Sequence, residues 1–194
     1  KKYKIQEKKS SPSVKIAFLG SIPLAVKCLQ HLFSQKNIEV IAVCTRAREL
    51  PRWWNPPYVI DIAEKLHIKI VNLEDLKGKE LDFIFVVGYG KILKQDIISI
   101  PKYGVVNIHL SPLPDYKGRN STAHAIINGE TEYGVTMHYI DEGIDTGSII
   151  SDIKFNIDPD MTSKELYQRS EEKGFELFIN TLPQIIAGNV NAVP

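Results

Sequence analysis

Cysteine is scarce in this chain: 194 residues contain two, Cys28 and Cys44. Both fall in apolar stretches, so they are expected as small buried hydrophobes in a reducing compartment rather than as a disulfide. No His or Cys pair stands near them at ligand spacing, and no metal site is expected. No apolar run approaches the roughly 18 residues that mark a bilayer-spanning helix, so no contact with a membrane is expected. A dominant charge sign is lacking as well. The 24 Lys and Arg against 23 Asp and Glu leave a formal net charge of +1, no electrostatic footprint for nucleic acid or an anionic surface. The one basic cluster, Lys1, Lys2, Lys4, Lys8 and Lys9, has neither the apolar segment nor the cleavage site of a secretory signal. Residues 1–13 read as a flexible basic tail, and the expected location is the cytoplasm.

An apolar content of 43% and a charged content of 24% are ordinary for a globular protein of one domain. Val14 to Gly20 is a β-rich run closed by glycine, followed by helical spacing through Leu24, Cys28, Leu29 and Leu32. Further strands are expected at Ile38 to Thr45, Ile68 to Val71, Leu81 to Val87, Val105 to His109, Val135 to Ile140 and Ser148 to Ile157. Helices are expected at about Tyr58 to Leu66, Lys91 to Ile97 and Thr122 to Asn128, the last stopped by Gly129. Thr162-Ser163-Lys164-Glu165 fits a capping box opening a final helix, which ends at Gly188 and which Pro183 should kink or split. Near-continuous apolar strands alternating with helices predict an α/β fold: a doubly wound, mostly parallel sheet with helices on both faces. The expected domain spans 14–188, with 189–194 as a C-terminal tail.

Chemistry concentrates where several strands end. Asn107 and His109 stand two apart at the end of an apolar run, so an extended backbone points both to one face. Gly88-Tyr89-Gly90 follows another strand, and Asp145 lies in Asp141-Glu142-Gly143-Ile144-Asp145-Thr146-Gly147. Each has a plain structural explanation: a satisfied core histidine, an asparagine closing a strand, an Asx turn, a tight strand-to-helix turn. Together, an amide, an imidazole and a carboxylate at one sheet edge suit polarising a carbonyl and managing a proton, but they name no reaction.

The pattern Asn107-x-His109-x-Ser111-x-Leu113-Pro114, with Gly118 and then Asp145-Thr146-Gly147, resembles the signature of the 10-formyltetrahydrofolate-dependent formyltransferases. Lys15 to Leu32, Val59 to Pro101 and Ile126 to Thr136 are similar to the methionyl-tRNA and amino-sugar branches. The glycinamide ribonucleotide branch opens with a Ser/Gly-rich phosphate loop, which Gly20-Ser21-Ile22-Pro23 does not match. The resemblance implies a Rossmann-like formyltransferase fold and formyl transfer from 10-formyltetrahydrofolate without a metal. It implies that Asn107 donates to the formyl oxygen, a contribution of roughly 3 kcal/mol in comparable sites. His109 would polarise the same carbonyl, and Asp145 would accept the amine's proton. Ser111 has no base placed beside it and is expected to shape its loop. The pterin is expected near Val87, Gly88, Tyr89 and Gly90, and near the backbone of Tyr139, Ile140, Asp141, Glu142 and Gly143.

The acceptor is read from less. Trp53 and Trp54, with Arg48 and Arg52 in the same loop, either cover the following helix or stack on a sugar or base with Arg on a diphosphate. Ser111, Lys117, Arg119 and Asn120 would flank the acceptor. The single-domain length and near-neutral charge lead to a nucleotide-linked amino sugar as the expected substrate. The alternatives are methionyl-tRNA, the one nucleic-acid partner the resemblance allows, then phosphoribosylglycinamide, then a non-catalytic folate-binding domain. A homodimer is a further expectation from the sugar branch.

Overall fold

The computed structural model of the chain describes residues 13–46 and 57–194. Its centre is a six-stranded sheet in the order β2-β1-β3-β4-β5-β6. The strands are β1 (Val14–Gly20), β2 (Ile38–Cys44), β3 (Phe83–Val87), β4 (Val105–His109), β5 (Glu132–Tyr139) and β6 (Ile149–Asn156). The first four in the chain, β1 to β4, are parallel, and β5 and β6 continue the sheet antiparallel. The helices are α1 (Pro23–Ser34), α2 (Val59–Lys65), α3 (Gln95–Ile98), α4 (Ser121–Ile127) and α5 (Ser163–Ile186), with a single 3-10 turn at Leu73–Leu76.

Alternate residues of one strand enter two cores, which is why the strands are apolar nearly throughout. Ile16 and Phe18 of β1 join α1, α2 and α5 in the larger core, while Ala17 and Leu19 pack with Leu76, Leu93 and Ile97 in a thinner one. The same division holds in β4. Val106 and Ile108 face the larger core and Val105 the thinner one. Asn107 and His109 share the face of Val105, at the end where the thinner layer stops and a cavity begins.

Local signals explain the helix ends. Pro23 sits at the first turn of α1, where its missing N–H costs nothing. Thr162 and Glu165 form the reciprocal capping box of α5. Gly129 and Gly188, both with φ near +70°, follow α4 and α5 as expected. Pro183 neither splits nor ends α5, which runs unbroken to Ile186. It falls in the last turn, where one N–H is lost and little helix remains to disrupt.

Three expected elements differ. Ile68 to Val71 forms no strand of its own: Ile70 makes a single bridge to Val43 at the sheet edge, through Val43 N–H to Lys69 and Val71 N–H to Val43. The helical turn expected from Lys91 starts at Gln95, and 91–94 is loop against the cavity. β5 starts at Glu132, three residues early, because β6 pairs with it from Glu132 onward, whereas β4 pairs only from Thr136. At the C-terminus, Val193 exchanges two hydrogen bonds with Ile149, so 189–194 returns along β6.

Candidate active site

A cavity of about 660 Å³ opens beyond the carboxyl end of the parallel strands, where the sheet's winding order reverses. Asn107, His109 and Asp145 line it together. So does His138 of β5, which sequence reasoning did not single out. In the antiparallel register His138 lies directly opposite Asn107, and its side chain is 1% exposed. Its signal was present as a polar residue alternating with Val135 and Met137, yet both faces of β5 are buried, so alternation alone did not mark a site.

The hydrogen bonds of His138 determine how Asn107 is presented. His138 Nδ1 stands 2.8 Å from the Tyr139 carbonyl, which only accepts, so Nδ1 carries the proton of the neutral ring. Nε2 is then an acceptor, and Asn107 Nδ2 donates to it at 3.0 Å. Burial holds His138 below the ordinary histidine range, which favours this neutral form. One amide hydrogen of Asn107 is therefore fixed, and the second remains to donate to a ligand in the cavity.

Asp145 lies between two imidazoles. Its Oδ2 is 3.6 Å from His109 Nε2 and its Oδ1 is 3.6 Å from His138 Nε2. The Gly118 N–H donates to Oδ2 at 2.9 Å. The backbone of Asp145 is left-handed, with φ +52°, so this carboxylate is held in place at the cost of local strain. His109 Nε2 has its own acceptor, the Tyr116 carbonyl, at 3.0 Å. The arrangement offers a free amide hydrogen, an imidazole and a carboxylate around one space, with polar contacts behind each.

The other expected site residues divide. Gly88, Tyr89 and Gly90 border the cavity, as do Ile140, Asp141 and Gly143, whereas Val87, Tyr139 and Glu142 do not. Val87 points instead into the larger core. Gly88 has φ +59°, and a Cβ there would meet Ile22 at 2.5 Å, so the turn admits glycine on both grounds. Arg119 and Asn120 border the cavity, but Lys117 and Ser111 do not. Ser111 is fully buried, its hydroxyl donating to the Tyr116 carbonyl at 2.8 Å while its own carbonyl accepts from Thr136. It sits behind the site and not in it, because Thr136 and Tyr116 draw its polar groups inward. Trp53, Trp54, Arg48 and Arg52 lie outside the described residues.

Two cations that border the mouth converge on one glycine. Arg119 Nη2 donates to the Gly90 carbonyl at 3.0 Å. The Arg46 guanidinium rests on the Gly90 Cα, so close that a Cβ there would lie 2.5 Å from it. Among the described residues no group of His, Cys, Asp and Glu could hold a metal ion. No described helix is long and apolar enough to cross a membrane.

The formyl transferase family model matches residues 14–182. This chain belongs to that family. The methionyl-tRNA formyltransferase of Clostridioides difficile (strain 630) is 35% identical, over 91% of this chain and 60% of the relative. The chain thus spans about three fifths of the length of the curated relatives it matches. An N-formyltransferase from Helicobacter canadensis, solved with folinic acid and dTDP-3-aminofucose, superposes with a TM-score of 0.80 at 28% identity. That match covers 93% of this chain and 66% of the other. A sugar 3N-formyltransferase, WlaRD, solved in the presence of dTDP and 5-N-formyl-THF, also gives 0.80, at 29% identity over 94% and 66% of the two chains. The six-stranded, mostly parallel sheet is the fold of this formyltransferase family member, as the resemblance implied.

Proposed function

We propose that this chain transfers a formyl group from 10-formyltetrahydrofolate to a primary amine. The observation that carries the reading is the convergence of Asn107, His109 and Asp145 on one cavity, with Asn107 aligned by the buried His138. The cavity walls fit a flat polar ring joined to an apolar body: main chain at Gly88, Gly90 and Gly143, and side chains of Val86, Ile92, Leu93 and Ile140. The formyl donor supplies an activated carbonyl carbon. The second amide hydrogen of Asn107 meets its oxygen as negative charge develops there. Asp145 takes the proton that the attacking amine releases, and the same proton serves the departing nitrogen. His109 stands beside Asp145 and the developing charge.

Incubation with 10-formyltetrahydrofolate and a panel of amines, following tetrahydrofolate release, tests this. Transfer to at least one amine is expected; folate binding with no transfer to any of them would leave a non-catalytic binding domain.

For the acceptor, a nucleotide-linked amino sugar is the first reading. Arg46 and Arg119 bring two guanidinium groups to the cavity mouth, a counter-charge for a diphosphate. Two sugar formyltransferases superpose over most of the chain. Methionyl-tRNA is the second reading, favoured by relatives of that name at 33–35% identity. Phosphoribosylglycinamide is less supported, because the Glu171 carboxylate already accepts the Leu24 N–H in the first turn of α1. Competition between nucleotide-linked 3-amino and 4-amino sugars and charged initiator tRNA separates the readings. Preferred formylation of tRNA would reject the sugar.

A further inference from the structure

Asn128-Gly129-Glu130, just after α4, borders no part of the cavity, yet it is connected to the site through Tyr116. The Tyr116 hydroxyl donates to Glu130 Oε1 at 2.6 Å and accepts from Asn128 Nδ2 at 3.0 Å. Its ring packs against Tyr133, centroids 6.1 Å apart. The backbone of Tyr116 is left-handed, φ +54°, a conformation that a tyrosine keeps only where its surroundings impose it.

That conformation turns the Tyr116 carbonyl toward the active site. The carbonyl accepts from Ser111 Oγ at 2.8 Å and stands 3.0 Å from His109 Nε2. Since a carbonyl cannot donate, His109 Nε2 carries a hydrogen and points it at Tyr116. The nearest Asp145 oxygen, at 3.6 Å, is beyond hydrogen-bond reach. His109 is thus oriented by main chain and not by the carboxylate. Asp145 keeps its lone pairs for a ligand, apart from the one that Gly118 N–H occupies. Tyr116 and Gly118 belong to the same short loop, so this loop offers a carbonyl to His109 and an N–H to Asp145.

We propose that Tyr116 is a positioning residue: its phenol, latched to Glu130 and Asn128, holds its carbonyl on His109 and so sets the orientation and protonated nitrogen of that imidazole. The proposal rests on the formyl-transfer reading for its kinetic consequence, but not for its structural one. Asn128 and Glu130 then serve the site from outside it, by fixing a tyrosine whose side chain never meets the substrate.

The test compares Tyr116→Phe, Glu130→Ala and Glu130→Gln with wild type. Tyr116→Phe keeps the ring and deletes only the latch. A loosened carbonyl no longer selects the Nε2–H tautomer of His109, so Nδ1 should carry the proton in a larger share of the neutral rings. Ring-nitrogen NMR shifts of His109 read that tautomer change whether or not any amine is formylated. With an accepted amine, kcat should fall about fivefold, with the folate KM unchanged. Glu130→Ala leaves the Asn128 bond to the hydroxyl, so it should fall between wild type and Tyr116→Phe, and the double variant should be no worse than Tyr116→Phe alone. Glu130→Gln keeps an acceptor for the hydroxyl and should stay near wild type. An unchanged His109 tautomer in Tyr116→Phe would overturn the proposal. So would a fall in kcat that tracks a lower Tm with no change in the His109 tautomer. A wild type that formylates nothing would sink the reaction reading while leaving the NMR comparison decisive for the latch.

Discussion

At the end of β1 the chain turns through Gly20, Ser21 and Ile22 into α1; at the end of β4 it turns through Leu110 and Ser111 into a loop. Both turns reach the cavity, and they use their polar groups in opposite ways. At the first, Leu24 N–H is taken by the chain's own Glu171 carboxylate at 3.1 Å, and the Ile22 side chain covers Gly88. The chain satisfies itself there and presents apolar surface. Around the second, the polar side chains that line the cavity each have an internal partner, and Asn107 keeps one amide hydrogen and Asp145 further lone pairs for a ligand. Asn107 is held by His138, His109 by Tyr116 and Asp145 by Gly118. Closed hydrogen bonding marks structure, whereas half-closed hydrogen bonding marks a site prepared for a ligand.

Breaking the β4 end should therefore cost activity far more than stability. Asn107→Ala has the largest expected effect: kcat down about 100- to 1000-fold, as for other single oxyanion donors, with folate affinity retained. Stopped-time formylation assays alongside folate titration would read it. Turnover at the wild-type rate would remove Asn107 from the chemistry.

His138→Phe is the next test. It keeps ring volume but removes the acceptor that aligns the Asn107 amide, so kcat should fall about tenfold, the value of one lost hydrogen bond. The wild type carries a linked pH effect. His138 is held below its ordinary range by burial, so its contribution to stability is present above the unfolded value, near 6.5, and lost as pH falls from there through the lower folded value. Protonated Nε2 would also donate instead of accepting from Asn107. Urea melts between pH 5 and 7 should show wild type losing stability on the acid side relative to His138→Phe. Parallel pH curves for the two proteins would mean that His138 does not titrate in this way.

The same contrast explains what could be read from the chain alone. β1, α1, β4 and the start of α5 were legible because their information is local: continuous apolar runs, Pro23 at a first turn, Thr162 three residues before Glu165. Asn107 and His109 were placed on one face by period-two geometry alone, and Asp145 joined them through family resemblance. His138 was not legible, because its role comes from the cross-strand register that sets it against Asn107. Tyr116 was hidden for another reason. It acts through a carbonyl that every residue possesses, and only its left-handed backbone aims that group at His109. Ser111 shows the converse, a hydroxyl in a signature loop that is drawn inward by Tyr116.

The closed end supplies the smallest expected effect on activity and the sharpest effect on stability. Glu171 is buried, accepts from Leu24 and is hydrogen-bonded to Tyr167, a residue that borders the cavity. Burial pushes its carboxyl up to about 7, so the folded chain favours the protonated acid. The stabilising contribution of that proton is fully present below the unfolded value, near 4.5, and is lost as pH rises through about 7. Glu171→Gln keeps an oxygen for Leu24 and the side-chain shape beside Tyr167 but never ionises. It should match wild type in urea at pH 5 and exceed it by about 2 kcal/mol at pH 8, while kcat stays within about twofold. Equal stability at both pH values would show that the carboxylate is comfortable when charged. A large loss of kcat with the fold intact would mean that the β1 end, too, is part of the working site, and the division between the two strand ends would fail.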